Sequence, residues 1–189
     1  MKFSTTSTSS TAFTSPPPPP PKSSNYFFSQ PHQPFFFFGV VWAIVSMVIF
    51  TLSHKGIFSL SIAENTFPLY SLSFIVIIQF FHGFLFTTYP RFCLDDAIPL
   101  EEYIPTVWTY QIFTVLFFVG SITSVSLTII GMLGIFFAHA MSITTLFLVY
   151  RSGKSPLKSD PFWMLIAHVF GIIAHVLVLL MIALEQFET

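Results

Sequence analysis

Charge is what this chain has least of. Of its 189 residues only 8% are Asp, Glu, Lys or Arg, where soluble domains carry roughly 25%. The net charge of -1 comes with no basic cluster, so nucleic acid has no electrostatic handle here. Cys93 is the single cysteine, which excludes an intrachain disulfide and a cage of thiolates around a metal. A phosphate-binding glycine loop is missing. The aspartates are Asp95, Asp96 and Asp160, all in loops or at a helix start, so no Ser/His/Asp set forms and no catalytic residue is assigned. The chain is therefore read as not an enzyme by itself. Its basic start runs into Ser and Thr rather than an apolar stretch, so no cleavable signal is expected.

What is present is apolar: 53% of the residues are hydrophobic and 26 are Phe. This places the chain in the membrane as an all-α, polytopic transmembrane helix bundle. Residues 1–34 are the exception, rich in Ser and Thr with a proline run at 16–21. Polyproline stays extended and buries nothing, so a disordered tail is expected there. The membrane domain is read over 35–184, with five spans at about 35–53, 67–88, 105–128, 131–150 and 161–184. About 20 apolar residues suffice for each. Pro68 suits a first helical turn, and Tyr89-Pro90-Arg91 is read as closing the second span. The uncharged run 104–150 is too long for one span, and a tight turn is placed near Ile130-Gly131. Asp160 before Pro161 reads as a helix N-cap.

Five spans put the two ends on opposite sides. Lys2, Lys22, Arg91, Arg151, Lys154 and Lys158 share one side and Lys55 lies alone on the other, so the N-terminal tail is expected in the cytoplasm. Trp42, Trp108 and Trp163 are read as interfacial anchors. The acidic loop 95–102 is read as a solvated surface. The lipid bilayer is the evident partner, with further membrane subunits or a second copy also open.

Histidines carry the chemistry. His32 and His54 fall outside the spans and are read as wetted by headgroups. His82, His139, His168 and His175 fall inside, where ionisable residues are costly and mark sites. His168 and His175 are two turns apart and share a face, with Gly171 between them leaving room for a close neighbour. Counted inward at 1.5 Å per residue, His82 and His168 lie roughly 10 Å deep and His139 and His175 roughly 17–21 Å deep. Depth thus pairs His82 with His168 and His139 with His175. Facing imidazoles suit the axial positions of a haem b. Copper is the other candidate, since neutral imidazole suits it and Met141 or Met164 could add a thioether. Ordinary buried histidines, hydrogen-bonded across helices, are the third. Gln79 shares a face with His82 and is offered as its hydrogen-bond partner.

Two segments resemble a known family. His32-Gln-Pro-Phe-Phe-Phe-Phe-Gly39 and Gly83-Phe-Leu-Phe-Thr-Thr-Tyr-Pro90-Arg-Phe resemble the entry to the first span and the close of the second span of the NnrS family, at similar separation. The resemblance covers residues 31–92, and the later spans by hydropathy. It implies a bacterial inner-membrane protein containing haem and copper, linked to nitric-oxide metabolism or protection. Full members have about twelve spans, so the five here are expected to match an N-terminal portion or a short divergent member. Where the family's second span opens on Trp-His-x-His-Glu, this chain has Phe67-Pro-Leu-Tyr-Ser71, without histidine. Three functions remain in view: an NnrS-like haem protein in nitrogen-oxide stress or respiration, a b-type cytochrome-like electron carrier, and a metal-free transporter or assembly subunit.

Overall fold

The structure, a computed structural model, describes residues 26–187. Among the described residues there is no strand. Five helices among these residues are long and apolar enough to cross a membrane. They are α1 (His32–His54), α2 (Thr66–Cys93), α3 (Leu100–Thr123), α4 (Val125–Ser152) and α5 (Ser159–Phe187). Helices are the natural solution in hydrocarbon, because each satisfies its own backbone polar groups. Residues 1–25 of the expected disordered tail lie outside the described residues. The folded chain begins earlier than residue 35. A short 3-10 turn, Tyr26–Phe28, precedes α1, and the Phe28 carbonyl accepts from the Tyr103 hydroxyl at 2.6 Å.

α3 and α4 form the tightest pair, an antiparallel hairpin. The turn is at Ser124, not at Ile130-Gly131 as its glycine suggested. Ser124 is extended (φ -162°, ψ 142°), and its hydroxyl accepts from the Leu127 N–H at 3.3 Å, capping α4. Gly131 serves a different purpose. A Cβ there would stand 2.5 Å from the Phe117 backbone nitrogen, and one at Gly120 would strike the backbone of Leu127 and Thr128. Both are close-approach positions of the kind that hold membrane helices together. The loop after α1 seals this end of the hairpin. Ser61 donates its N–H to the Ser121 carbonyl at 2.7 Å, a carbonyl at the end of α3, and its hydroxyl to the Gly120 carbonyl at 2.9 Å, which also accepts from the Ser124 N–H.

α2 also departs from expectation. Pro90 does not end it; the helix runs to Cys93 and stops at Leu94, which is left-handed (φ 52°). Near its other end, Ser71–Ile77 is a π-helix, a wider coil that frequently marks functional sites. Helix α5 starts at Ser159, so Asp160 is in its first turn rather than its N-cap. At the end shared by α2 and α4, the Ser155 N–H donates to the Cys93 carbonyl at 2.9 Å and the Ser152 hydroxyl donates to Asp95. The acidic loop is therefore tied to α4 at Asp95, and that hydrogen bond holds the Asp95 carboxyl below its usual range.

The outer helices α1 and α5 leave most of their apolar surface uncovered, including Phe37, Ile44, Phe170 and Leu177. The bilayer covers such surface at no cost. Trp108 and Trp163 are exposed, but Trp42 is not an interfacial anchor: it stacks on Phe118 with ring centroids 5.4 Å apart and bonds inside the bundle. Replacing Gly131 with Ala should push α3 and α4 apart, costing about 1–3 kcal/mol as overpacking does. A lower Tm of the detergent-purified protein checks this; an unchanged Tm would contradict the close approach.

Candidate metal centre

Three helices each bring one histidine to the same place. On α2, Gln79, His82, Phe86 and Tyr89 recur at helical spacing and all are buried. On α4 the buried face carries Ile135, Ala138, His139 and Ser142. On α5 it carries Leu165, His168, His175 and Ile182. His82, His139 and His168 are 0%, 1% and 1% exposed. Each offers a ring nitrogen, and these nitrogens lie within 4.8 Å of one another. The ring centroids are 5.2 Å apart for His82–His139, 5.2 Å for His82–His168 and 5.0 Å for His139–His168. Every pair is edge-to-face.

Small residues make this convergence possible. A Cβ on Gly171 would stand 3.0 Å from Cε1 of His139, so the room that glycine leaves on α5 is filled by the imidazole from α4. Gly83, beside His82, admits Phe35 and Phe36 of α1. Around the cluster stand Phe35 and Tyr110, each 5.7 Å from His82 by ring centroid, and Phe81, 5.3 Å from His168. These neighbours are aromatic, and the Tyr110 hydroxyl donates to the Phe74 carbonyl in the π-helix.

The polar atoms of the cluster have nowhere else to go. Both ring nitrogens of His82, both of His139 and Nε2 of His168 are buried without a hydrogen-bond partner among the described residues. Buried polar groups are nearly always paired, and an exception calls for a ligand, a water or an ion. An ion bonded to imidazole at about 2.0–2.1 Å would draw the three nitrogens to roughly 3.5 Å apart.

His175 belongs to a different layer. Its Nε2 pairs with the Tyr70 hydroxyl at 2.8 Å and lies 3.2 Å from the Met132 carbonyl. Phe74 and Phe136 enclose its ring, at 4.7 Å and 5.5 Å. The expected pairing of His139 with His175 is thus corrected, while His82 does meet His168. The cause is the length of α2. Because that helix continues past Pro90, His82 lies about 16 Å from its end rather than 10 Å, close to the level of His139. Tyr70 stands in the segment where the resemblance leads one to expect histidine, and it is the residue that holds His175.

The outer histidines and Gln79 have other partners. His32 is half-buried beside the Thr87 hydroxyl at 3.3 Å, and exposed His54 pairs with Glu64 at 3.0 Å. Gln79 does not bond His82: its carbonyl accepts from Gln111 at 3.2 Å, and Gln111 in turn accepts from the Trp42 indole at 2.6 Å. That chain was invisible in the sequence, since nothing in residue spacing links Trp42 to Gln111.

No curated protein and no solved structure matches this chain. A family model does: NnrS protein, over residues 26–189. The match takes in α1 to α5, so the likeness carried by residues 31–92 extends through the helices that supply His139 and His168. A multi-pass helical membrane protein with a buried three-histidine cluster, matched over most of its length, this chain belongs to the NnrS family.

Proposed function

We propose that the chain is a membrane metalloprotein that holds one transition-metal ion on His82, His139 and His168, serving an NnrS-type role in nitrogen-oxide stress or respiration. One observation carries the reading: three imidazoles from three helices converge, and five of their six nitrogens are buried without partners among the described residues. Neutral imidazole is a ligand for copper, zinc and iron alike. Three protein nitrogens leave a coordination position open for a small molecule, which fits the link to nitric oxide that the family resemblance implied.

The geometry favours an ion over haem b. A haem held by two of these histidines needs a planar slot between the rings, and here the rings touch edge to face at centroid distances of 5.0–5.2 Å. His175, already paired with Tyr70, is left out of the ligand set.

Metal analysis and an optical spectrum of the detergent-purified protein test this. One ion per chain is expected. His82→Ala, His139→Ala and His168→Ala should each remove most of it, and His175→Ala should leave it bound. A haem spectrum would replace the ion with the macrocycle, and a metal-free protein after growth with copper, zinc and iron would end the reading.

We further propose that the end bearing Arg91, Arg151, Lys154 and Lys158 faces the cytoplasm of a bacterial inner membrane. The ties between Cys93 and Ser155 and between Asp95 and Ser152 support a common face for these loops, and basic residues favour the cytoplasmic side. Reporter fusions after Ser155 and after Thr189 should read as cytoplasmic and external. The same compartment for both would contradict the orientation.

A further inference from the structure

Beside the three-histidine cluster runs a chain of hydrogen bonds whose direction is set at its first member. The Trp42 indole can only donate. It donates to Oε1 of Gln111 at 2.6 Å. That fixes which way the Gln111 amide faces, so its Nε2 donates onward to Oε1 of Gln79 at 3.2 Å. With its oxygen taken, Gln79 must present its own NH₂ elsewhere. Gln79 is 0% exposed, and its Nε2 has no partner among the described residues.

The free N–H group is one turn of α2 from His82: Gln79 and His82 share its buried face. Across from them, consecutive residues of α3 touch both: Tyr110 packs on the His82 ring at 5.7 Å, and Gln111 bonds Gln79. This donor does not serve His82 as a ligand. An imidazole that gives one nitrogen to an ion keeps an N–H on the other and needs an acceptor there. Gln79 could offer one only by turning its amide over. That would set its NH₂ against the NH₂ of Gln111, and turning Gln111 as well would set NH₂ against the Trp42 N–H.

We propose that Trp42, Gln111 and Gln79 form a directional relay that aims one amide N–H at the open position of the ion, selecting small anionic ligands that carry a hydrogen-bond acceptor. The inference rests on the three-histidine metal reading. A donor fixed in place and shielded from water stabilises charge on a bound ligand more than a mobile one does. Hydrogen bonds to charged groups are also the stronger class. Gln79 is in this sense a positioning residue for the ligand rather than a ligand to the metal.

The test is an azide titration of the copper(II)-loaded full chain in detergent, followed by the azide charge-transfer band, with copper content measured on the same samples. In Gln79→Leu, azide affinity should fall roughly tenfold or more while copper content stays at the wild-type level. Gln79→Glu, which replaces the amide by an acceptor, should do the same. Trp42→Phe is the decisive variant. It leaves Gln79 intact but frees both amides to turn, so azide affinity should fall there too with copper retained. Unchanged azide affinity in Gln79→Leu overturns the proposal. So does loss of copper in that variant, which would make Gln79 a support for the histidines. A wild-type protein that binds copper but not azide overturns the relay alone, whereas one that binds none of copper, zinc and iron overturns the metal reading along with it.

Discussion

In hydrocarbon a polar atom cannot be left to water, and this constraint orders the interior of the bundle. Most of its polar side chains have solved it in pairs. Ser46 meets Ser71, Tyr110 donates to the Phe74 carbonyl, Tyr70 meets His175, and Trp42, Gln111 and Gln79 form a row. Each pair also joins two helices, so satisfying the polar atoms and aligning the helices are one event. With lipid tails as apolar as leucine, burial of apolar surface gives little preference for helix over lipid. Polar pairs and close glycine contacts then decide which faces turn inward. The histidine cluster gathers most of the unpaired atoms: three rings fit together edge to face while five of their six nitrogens remain without partners among the described residues.

The glycines distribute that packing unevenly. Gly120 and Gly131 let backbone approach backbone, so α3 and α4 act as one rigid unit. Gly171 instead lets a side chain, the His139 ring, approach α5. The first kind of contact builds the scaffold and the second shapes the site. That pair contributes His139 and the Tyr110–Gln111 wall, and helices α2 and α5 pack against it with His82 and His168. A site assembled this way has its geometry set by the hairpin, which is what an ion with fixed bond lengths requires.

Much of this was legible in the residues. The five spans, the all-helical class and the inward placement of His82, His139 and His168 follow from hydropathy and the expense of histidine in lipid. The misreadings share one physical origin, which is that glycine and proline have two uses. Gly131 reads as a turn, but the polar cluster Ser121, Thr123, Ser124, Ser126 was the better signal, because a cap needs a side-chain acceptor and a close contact needs a missing one. Pro90 reads as a stop, yet membrane helices tolerate an internal proline when their surroundings take up the backbone groups it frees, and α2 runs on to Cys93. Its continuation into Cys93 moved His82 by about a turn and changed its partners. Trp42 was placed at an interface by its depth in the span, and only the fold reveals Gln111 across from it.

The division of the histidines into two layers follows from helix geometry alone. His168 and His175 share a face of α5, and that shared face invites assigning them to one centre. Seven residues, however, separate them by about 10.5 Å along the helix. An ion reaches about 2 Å to each nitrogen, and the ring of a histidine adds a few ångströms of side chain that lean the same way, toward the helix N-terminus. Both leaning alike, the two rings keep their axial separation and cannot close on one ion. A pair at this spacing must therefore serve two layers, and the partners in each layer must come from other helices. That is the arrangement found: His168 with His82 and His139 in one layer, His175 with Tyr70 and the Met132 carbonyl in the next. In the second layer the Tyr70 phenol already pairs with Nε2 of His175, which sets it apart from the cluster, although its Nδ1 is buried without a partner among the described residues.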